Sequence, residues 1–228
     1  MGVGKMTSYI EKPTEYKKNQ IDGGRRGAIY GIMVEQEFAE RTSGKRLGGI
    51  VKTDVICNGQ KHSIKNTRKS SNVRFVAQSY NRIEDPIWKS YPEAREQGDL
   101  VAEKKACEHL IQQPNLLQYA IQGTREPAEY LTIYDNRTEK TNEDLTGVFR
   151  SFKIEDVLAL YQDIQWKVSF GKKYYKIIGK LDGFRPACVT IELGSAKRKL
   201  LLVTFNNVQK QVDFWETKMT CRKIYGGG

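Results

Sequence analysis

The sequence lacks any long apolar segment. No run of about 18 apolar residues, the length that a transmembrane helix needs, occurs in the 228 residues. The N-terminus has no basic segment followed by an apolar stretch and a small-residue cleavage site. These absences predict a cytoplasmic protein with neither a membrane span nor a secretory leader.

Cysteine and histidine are scarce. Two histidines are too few for a multi-histidine metal cluster, and no CxxC pair occurs to start a zinc site. The four cysteines stand far apart and are expected to be reduced: Cys57, Cys107, Cys188 and Cys221. The strings GxSxG, GxxxxGK[ST] and HExxH are also missing, so serine hydrolases, P-loop nucleotide triphosphatases and zinc proteases lose their main sequence support.

Positive charge is what the sequence has in excess. The formal net charge is +11 and the pI is about 9.4. Such a charge attracts polyanions, and binding releases counterions when phosphates are neutralised. Nucleic acid is therefore the leading partner class, while a membrane-surface binder and a protein that is merely basic stay open as alternatives.

The order of elements predicts an α+β (mixed α/β) fold, with a central mixed β-sheet flanked by helices. Residues 1–27 are expected to form a basic N-terminal arm and residues 28–228 a single domain. A helix is predicted over Ala28 to Thr42, ended by Ser43-Gly44. Further helices are predicted over Pro92 to Gln113 and Lys153 to Gln162.

Strands are predicted on both sides of Asn58-Gly59, the dipeptide most typical of a tight hairpin turn. The paired strands are Ile50 to Cys57 and Gln60 to Lys65. The remaining expected strands are a third after the hairpin, a short one in an otherwise irregular stretch, and four in a C-terminal meander: Arg74 to Ser79, Tyr130 to Tyr134, Gln165 to Phe170, Lys173 to Gly179, Ala187 to Leu193 and Lys199 to Phe205.

Glu35 falls on the expected inner face of the first helix. At about 100° per residue it lies in the middle of an arc of apolar and small residues: Ala28, Gly31, Ile32, Val34, Phe38 and Ala39. Residues 30, 33, 37, 40 and 41 project to the opposite side. An inward carboxylate costs stability unless it has a partner, so a metal ion or a cation is expected beside Glu35.

The turn fixes which hairpin residues face each other. With Asn58-Gly59 as a two-residue loop, Asp54 lies opposite Ser63. Side chains alternate along a strand, so Lys65 lies on the same face, diagonal to Asp54 and about 7 to 8 Å away at the backbone. Val55, Cys57 and Ile64 turn to the other face, towards a core. The plain alternative is an exposed Asp54–Lys65 ion pair worth at most about 1 kcal/mol.

The string from Thr53 to Lys65 resembles the active-site hairpin of the PD-(D/E)XK nucleases, the superfamily of many type II restriction endonucleases. In that family an Asp and a second acid bracket a hairpin, a Lys follows the second acid by two positions, and a Glu from a preceding helix often joins them. Asp54 matches the first acid, Lys65 the lysine and Glu35 the helical carboxylate. The resemblance covers only about residues 31–70.

Two positions depart from the family pattern. Thr53 stands where the family often has Pro, and Ser63 stands where it usually has Asp or Glu. Some restriction endonucleases resemble this chain in having Ser there and recruiting the missing carboxylate from elsewhere. Here Glu35 would supply it, with Glu37 or Glu84 as fallbacks.

The resemblance implies a double-stranded DNA endonuclease that depends on Mg²⁺, with Mn²⁺ as a possible substitute, and that acts as a homodimer on a short palindromic site. Asp54, Glu35 and the Ile64 carbonyl would hold the ion, because Mg²⁺ prefers oxygen ligands. Lys65 would orient a water molecule and lower its pKa, and Ser63 would position a water by hydrogen bonding.

Several polar residues outside the hairpin strands are candidates for DNA contact, although a solvated loop accounts for them about equally well. They are Asn66, Arg68, Lys69, Asn72, Arg82, Lys197 and Arg198. Lys172 and Lys173 lie at a turn of the meander, where they would either clamp a duplex backbone or keep strand edges soluble.

Other functions remain open from the sequence. A rival acidic pair, Asp182 and Glu192, lies across a turn, but position 194 after it is Gly rather than Lys. The missing hairpin acid also leaves room for a nucleic-acid-binding protein without catalysis. A repair or RNA-processing nuclease with the same site would differ only in its substrate.

Overall fold

The computed structural model describes residues 15–47, 53–67, 72–79, 85–114, 116–122, 127–136, 145–182, 188–193 and 200–225. It consists of helices and two β-sheets, one of them mixed, which confirms the α+β fold with a mixed sheet flanked by helices. In the described part of the chain, no helix is both long enough and apolar enough to cross a membrane.

The first helix, α1, runs from Glu15 to Thr42. Its end was predicted correctly: Ser43 has a left-handed φ of 51°, and the Gly44 amide donates to the Ala39 carbonyl at 2.8 Å. Its start was not, since the helix begins 13 residues before the expected Ala28 and includes the second half of the predicted arm. The additional helical turns were missed because this stretch is polar and contains glycine, whereas helix periodicity is recognised from the spacing of apolar residues.

The buried face of α1 is rotated from the predicted one. Tyr30, Val34 and Phe38, spaced four residues apart, are buried against the first sheet, whereas Ile32 remains 49% exposed. The prediction had placed Ile32 inward and Tyr30 outward. The prediction counted Ile32 as apolar and Tyr30 as part of the polar side. Tyr30 can nevertheless bury its ring, because its hydroxyl accepts from Asn136 Nδ2 at 3.1 Å.

Among the described residues, the first sheet has six strands: β1 (Lys45–Arg46), β2 (Val55–Cys57), β3 (Gln60–Asn66), β5 (Tyr130–Asp135), β6 (Val148–Lys153) and β11 (Arg222–Ile224). Their order across the sheet is β1-β2-β3-β5-β6-β11. The sheet is mixed because β3 and β5 are parallel while the other neighbours are antiparallel.

The second sheet has five strands, all antiparallel, in the order β4-β10-β9-β8-β7. The predicted meander is confirmed, and the strand expected after the hairpin joins this sheet rather than the hairpin's own. Its strands are β4 (Val73–Ser79), β7 (Gln165–Phe170), β8 (Tyr175–Lys180), β9 (Val189–Leu193) and β10 (Leu200–Phe205).

In the described residues after α1, the chain forms five further helices: α2 (Pro86–Gln97), α3 (Leu100–Leu110), α4 (Leu116–Gln122), α5 (Ile154–Leu160) and α6 (Val208–Lys218). The single helix predicted over Pro92 to Gln113 is wrong. Gly98 takes a left-handed φ of 70° and ends α2, and the Asp99 carboxylate accepts from the Val101 and Ala102 amides to begin α3.

Two apolar clusters hold these layers together. The smaller one joins α1 to one face of the first sheet, through Phe38, Val55 and Phe149 among others. The larger one contains residues of both sheets and of helices α2 to α6, with Trp215 of α6 against Phe152 of the first sheet and Phe205 of the second. The hairpin of β2 and β3 therefore has α1 over one face and opens at its other face towards the second sheet.

Candidate active site

The turn between β2 and β3 has the predicted geometry. Asn58 and Gly59 take left-handed φ values of 49° and 76°, which a two-residue hairpin turn of this kind requires. The register pairs Val55 with His62 and continues to the turn without a shift. Local turn chemistry thus decides which side chains share a face.

Asp54 is the centre of the predicted constellation, and the structure brings its expected partners to it. One oxygen, Oδ2, accepts from the Ile64 amide at 2.6 Å, from Ser63 Oγ at 3.4 Å and from Lys65 Nζ at 3.3 Å. The side chains of Asp54 and Lys65 are 19% and 24% exposed. The carboxylate is therefore held in one orientation in a site that solvent can still reach.

Lys65 is fixed by more than Asp54. Its ammonium also donates to the Ile64 carbonyl at 2.8 Å and lies 5.8 Å from the centre of the Phe75 ring, which belongs to β4 of the second sheet. The Ile64 carbonyl, predicted as a metal ligand, thus lies at the site and accepts from Lys65 with one of its two lone pairs.

Glu35 lies close enough to Asp54 and Lys65 for their charges to act on it. Burial, followed by the negative charge of Asp54, raises the pKa of its carboxyl group. Arg46 and Lys65 act in the opposite direction but do not cancel the shift. The charge of the hairpin acid thus reaches the helical carboxylate, whose direct partner is Arg46.

Arg46 is a site residue that the sequence prediction missed. Its Nε donates to Glu35 Oε2 at 2.8 Å, and β1 positions it by pairing Arg46 with Val55. The only sequence signal was a basic pair, Lys45-Arg46, between the end of the helix and the Gly-rich connection. A cation was expected beside Glu35, but nothing in the local pattern identified it.

The two carboxylates each keep one oxygen without a hydrogen-bond donor among the described residues. For Asp54 this is Oδ1, and for Glu35 it is Oε1. No group of three or more His, Cys, Asp or Glu side chains suited to a metal ion occurs among the described residues. The site therefore offers two acidic oxygens rather than a complete protein cage, and Mg²⁺ commonly binds with one or two carboxylates plus water and substrate phosphate.

Of the two fallback carboxylates, only Glu37 is described, and its contact is with Arg41. Glu37 is bound by Arg41, whose Nε lies 2.7 Å from Glu37 Oε1 and whose other nitrogens donate to the Leu145 and Gly147 carbonyls. Arg41 was expected on the exposed side of α1, yet its side chain is only 8% exposed. Glu84 lies outside the described residues.

Beneath the site, β3 carries a buried polar chain. His62 contacts Cys57 Sγ at 3.3 Å and Thr132 Oγ1 at 2.9 Å, and Thr132 is bonded to Ser151 at 2.8 Å. Burial, together with the charge of Arg222, lowers the pKa of His62 to about 4. A neutral, fully buried imidazole is part of the support for β3 and does not face the site.

The residues predicted to contact DNA are only partly described. Asn66 lies half-exposed at the end of β3, and Asn72 lies exposed before β4, where it accepts from the Asn207 amide at 3.2 Å. The other predicted contacts fall outside the described residues: Arg68, Lys69, Arg82, Lys197 and Arg198.

The rival acidic pair does not form a site. Glu192 lies in β9 and Asp182 follows β8, and the register places Ile191 opposite Ile177 while Val189 lies opposite Gly179. The two carboxylates are therefore at opposite ends of β8.

An open pocket of about 440 Å³ lies elsewhere, between α4, α5 and β7, and is lined by residues that include Leu116, Leu158 and Trp166. Neither Asp54 nor Lys65 lines it. The candidate site is instead a partly exposed pair of side chains on the hairpin, which solvent can reach.

A scan against protein-family models found no match to this chain. Comparisons with curated proteins and with solved structures also found none. Any function must therefore be argued from the site itself.

Proposed function

We propose that the protein is a Mg²⁺-dependent endonuclease that hydrolyses phosphodiester bonds in double-stranded DNA, in the manner of a type II restriction endonuclease. The observation that carries the proposal is the Asp54–Lys65 pair on one face of the hairpin, with the Glu35 carboxylate coupled to it electrostatically. The order of helix, hairpin and parallel strand in a mixed sheet supports it, and so does the net charge of +11.

Asp54 acts as a pre-oriented acidic ligand. The Ile64 amide and the Ser63 hydroxyl hold Oδ2, which leaves Oδ1 directed away from these donors and available to a cation. Glu35 Oε1 is the second such oxygen, and Arg46 fixes the carboxylate that carries it. These two oxygens fit a hard divalent cation, and we assign Mg²⁺ to them.

When bound, Mg²⁺ would offset the negative charge that develops on the phosphate and help a water molecule to ionise. Lys65 then has two tasks, which are to orient that water and to stabilise hydroxide by its positive charge. In the reaction the attacking water releases one proton to solvent, its oxygen forms a bond to phosphorus, the bond from phosphorus to the leaving oxygen breaks, and the leaving oxygen takes up a proton from solvent. Ser63 positions a water but brings no charge.

The test is cleavage of a supercoiled plasmid in the presence of Mg²⁺. The wild-type protein should give discrete linear fragments, and Lys65→Ala should lower the rate by at least about 100-fold because it removes the group that activates water. Asp54→Asn should do the same.

Lys61→Ala is the matched control, since Lys61 lies on the same strand and the same face but does not contact Asp54. It should cut like the wild type. Undiminished cutting by Lys65→Ala, or equal losses in both lysine variants, would remove this site assignment.

A second candidate function is nucleic-acid binding without catalysis. Two observations favour it: Ser63 stands where an acid is expected, and Glu35 already forms an ion pair with Arg46. It predicts salt-dependent binding to DNA with no cleavage in either Mg²⁺ or Mn²⁺. Comparing duplex DNA, single-stranded DNA and RNA as substrates in the same assay separates a restriction enzyme from a repair or RNA-processing nuclease.

The proposal also includes a homodimer, because a twofold axis suits double-strand cleavage at a palindrome. Sedimentation velocity with and without a DNA duplex measures it directly. A monomer in both conditions, with single-strand nicking instead of linear fragments, would replace the restriction-type assignment with a nicking activity at the same site.

A further inference from the structure

The hairpin formed by β7 and β8 concentrates positive charge. Between Gln165 and Leu181 the chain has no acidic residue and five lysines: Lys167, Lys172, Lys173, Lys176 and Lys180. None of the five forms an ion pair with a described acidic residue, whereas Lys89 and Lys104 on the neighbouring helices do, with Glu93 and Glu108. We call the outer face of this hairpin and its turn, with these five lysines, the basic ribbon.

The strand register places three of the five lysines, Lys167, Lys176 and Lys180, on one side. Gln165 lies opposite Lys180, Lys167 opposite Ile178 and Ser169 opposite Lys176. Side chains that lie directly opposite in an antiparallel pair share a face, so these three pairs form the outer face of the second sheet. The residues between them turn inward, where Ile177 is fully buried and Trp166 and Val168 pack on the core.

The three lysines on the strands of the basic ribbon are regularly spaced. Lys180, Lys167 and Lys176 occupy every second level of the ladder, and Lys172 and Lys173 follow in the turn. Two levels correspond to about 6.6 Å along a strand. This spacing is comparable with the separation of neighbouring phosphates along one strand of a nucleic acid, so a linear polyanion can meet the lysines in succession.

The turn is held in place by contacts on its inner side. Phe170 packs edge-on against Tyr175 with ring centres 4.9 Å apart, and the Arg95 guanidinium lies 3.0 Å from the centre of the Tyr174 ring. Tyr91 donates its hydroxyl hydrogen to the Tyr175 carbonyl at 2.7 Å. A backbone fixed in this way reduces the entropy that binding costs.

Protection of a sheet edge does not account for this charge. Lysines on an edge strand discourage pairing with another chain, and β7 is the edge strand of its sheet. Lys176 and Lys180, however, lie on β8, which has a partner on both sides. Their charge needs a different explanation.

We propose that the basic ribbon binds the phosphate backbone of duplex DNA without regard to sequence, as a contact surface separate from the Asp54 site. The inference shares its DNA partner with the proposed nuclease, but it does not require cleavage. The single-file arrangement of the lysines favours a linear polyanion over the broad anionic surface of a membrane.

The experiment is a titration of a short fluorescent duplex by the full chain in EDTA, repeated over a series of salt concentrations. The ribbon variant combines Lys167→Gln, Lys172→Gln and Lys173→Gln. The control variant combines Lys89→Gln, Lys104→Gln and Lys105→Gln, three exposed lysines of α2 and α3, so that both variants lose the same net charge.

The ribbon variant should bind at least about tenfold more weakly, and its slope of log K against log salt should be shallower by about 3 units, one for each lost phosphate contact. The control variant should stay within about twofold of the wild type. If the ribbon variant melts early, the pair Lys172→Gln and Lys173→Gln in the turn gives the same comparison with a slope change of about 2 units.

Equal losses in the two variants would overturn the inference, because net charge alone would then explain binding. It would also fall if the ribbon variant kept its DNA affinity but lost binding to phosphatidylserine vesicles, since the surface would then serve a membrane. Weakened binding in a protein that never cuts plasmid would uphold the ribbon while removing the nuclease. If the wild type cuts plasmid and the ribbon variant binds DNA as tightly as the wild type does, the nuclease proposal stands and the ribbon proposal is wrong.

Discussion

Glu35 is held in a position that costs stability. Its carboxyl group is half-buried and lies near another negative charge, and the pairing with Arg46 does not fully compensate. Groups whose pKa values are perturbed by burial and by a specific neighbour are concentrated at functional sites. The loss of folding stability caused by Glu35 can therefore be measured with a single substitution.

We expect Glu35→Gln to stabilise the fold at neutral pH. Because the pKa is raised above its usual 4.5 in the folded chain, the folded state binds the proton more tightly than the unfolded state. The free energy of unfolding therefore falls as pH rises through the window above 4.5. The glutamine variant lacks this loss and should be more stable than the wild type at pH 7, with the difference shrinking towards pH 4.

Urea unfolding at several pH values measures this effect. Glu40→Gln is the control, because Glu40 is exposed on the same helix, and it should follow the wild type at each pH. A Glu35→Gln protein that is less stable than the wild type at pH 7 would show that the ion pair with Arg46 outweighs burial.

His62 should make the fold sensitive to mild acid. Its pKa is about 4 in the folded chain and 6.5 ordinarily, so the unfolded state binds the proton more tightly. Stability is then lost as pH falls from about 6.5 towards 4, by up to about 3 kcal/mol. Unfolding free energies at pH 7.5 and pH 4.5 should show this loss in the wild type but a smaller one in His62→Gln.

The exposed His109 provides the comparison. His109→Gln should retain the acid sensitivity of the wild type. If both histidine variants lose stability in acid as the wild type does, carboxylates rather than His62 control the response.

At the scale of elements, local signals predicted what local chemistry decides. The hairpin followed from Asn58-Gly59, and the end of α1 followed from Ser43-Gly44, because a left-handed residue requires few neighbours to define it. The break between α2 and α3 was also encoded locally, in Gly98-Asp99, but the apolar pattern on both sides masked it. The prediction that Asp54 and Lys65 share a face was correct for the same reason, because the two-residue turn sets the register of the hairpin.

Long-range packing decided the rest. Nothing near β4 in the sequence shows that it pairs with β10 rather than with the hairpin, because that choice depends on the larger core. The strand β6 and the helix α6 were not predicted at all, and each derives its burial from distant partners such as Phe152 against Trp215. Arg46 escaped notice because its role depends on how β1 pairs with β2.

Gly147 tests how tightly the start of β6 is packed under α1. A Cβ atom there would lie 2.4 Å from the Asp135 carbonyl oxygen and 2.8 Å from the Tyr134 ring, neither of which can move freely. Its carbonyl also accepts from Arg41 at 2.8 Å. Gly147→Ala should therefore lower the free energy of unfolding by about 1 to 3 kcal/mol.

Gly31→Ala is the matched control within α1, since nothing lies within 4 Å of a Cβ atom at that position. It should be neutral or stabilise the helix by up to about 1 kcal/mol. Equal tolerance of alanine at both positions in urea unfolding would mean that the contact between α1 and β6 is looser than the structure has it.

At the scale of the whole molecule, the site and the basic ribbon belong to different sheets that share one core. Asp54 and its hairpin partners belong to β2 and β3 of the first sheet, with Phe75 of the second sheet against Lys65. The ribbon lies on the outer face of the second sheet. If the site binds the proposed ion, the ion would stabilise the entire fold, because the local geometry exists only when both sheets are assembled.

This linkage predicts that Mg²⁺ stabilises the protein even when no DNA is present. A ligand that binds only the folded state, at ten times its dissociation constant, contributes about 1.4 kcal/mol, which corresponds to a rise in Tm of about 3 to 6 °C for a chain of this size. Asp54→Asn should abolish the rise, whereas Glu40→Gln should keep it, because Glu40 carries the same charge but lies outside the site. The rise should also weaken in acid, because protonation of Glu35, whose pKa is raised, removes one of the two ligands. A thermal melt that is unchanged by Mg²⁺ at every pH would leave the Asp54–Lys65 pair as a structural contact and favour DNA binding without catalysis.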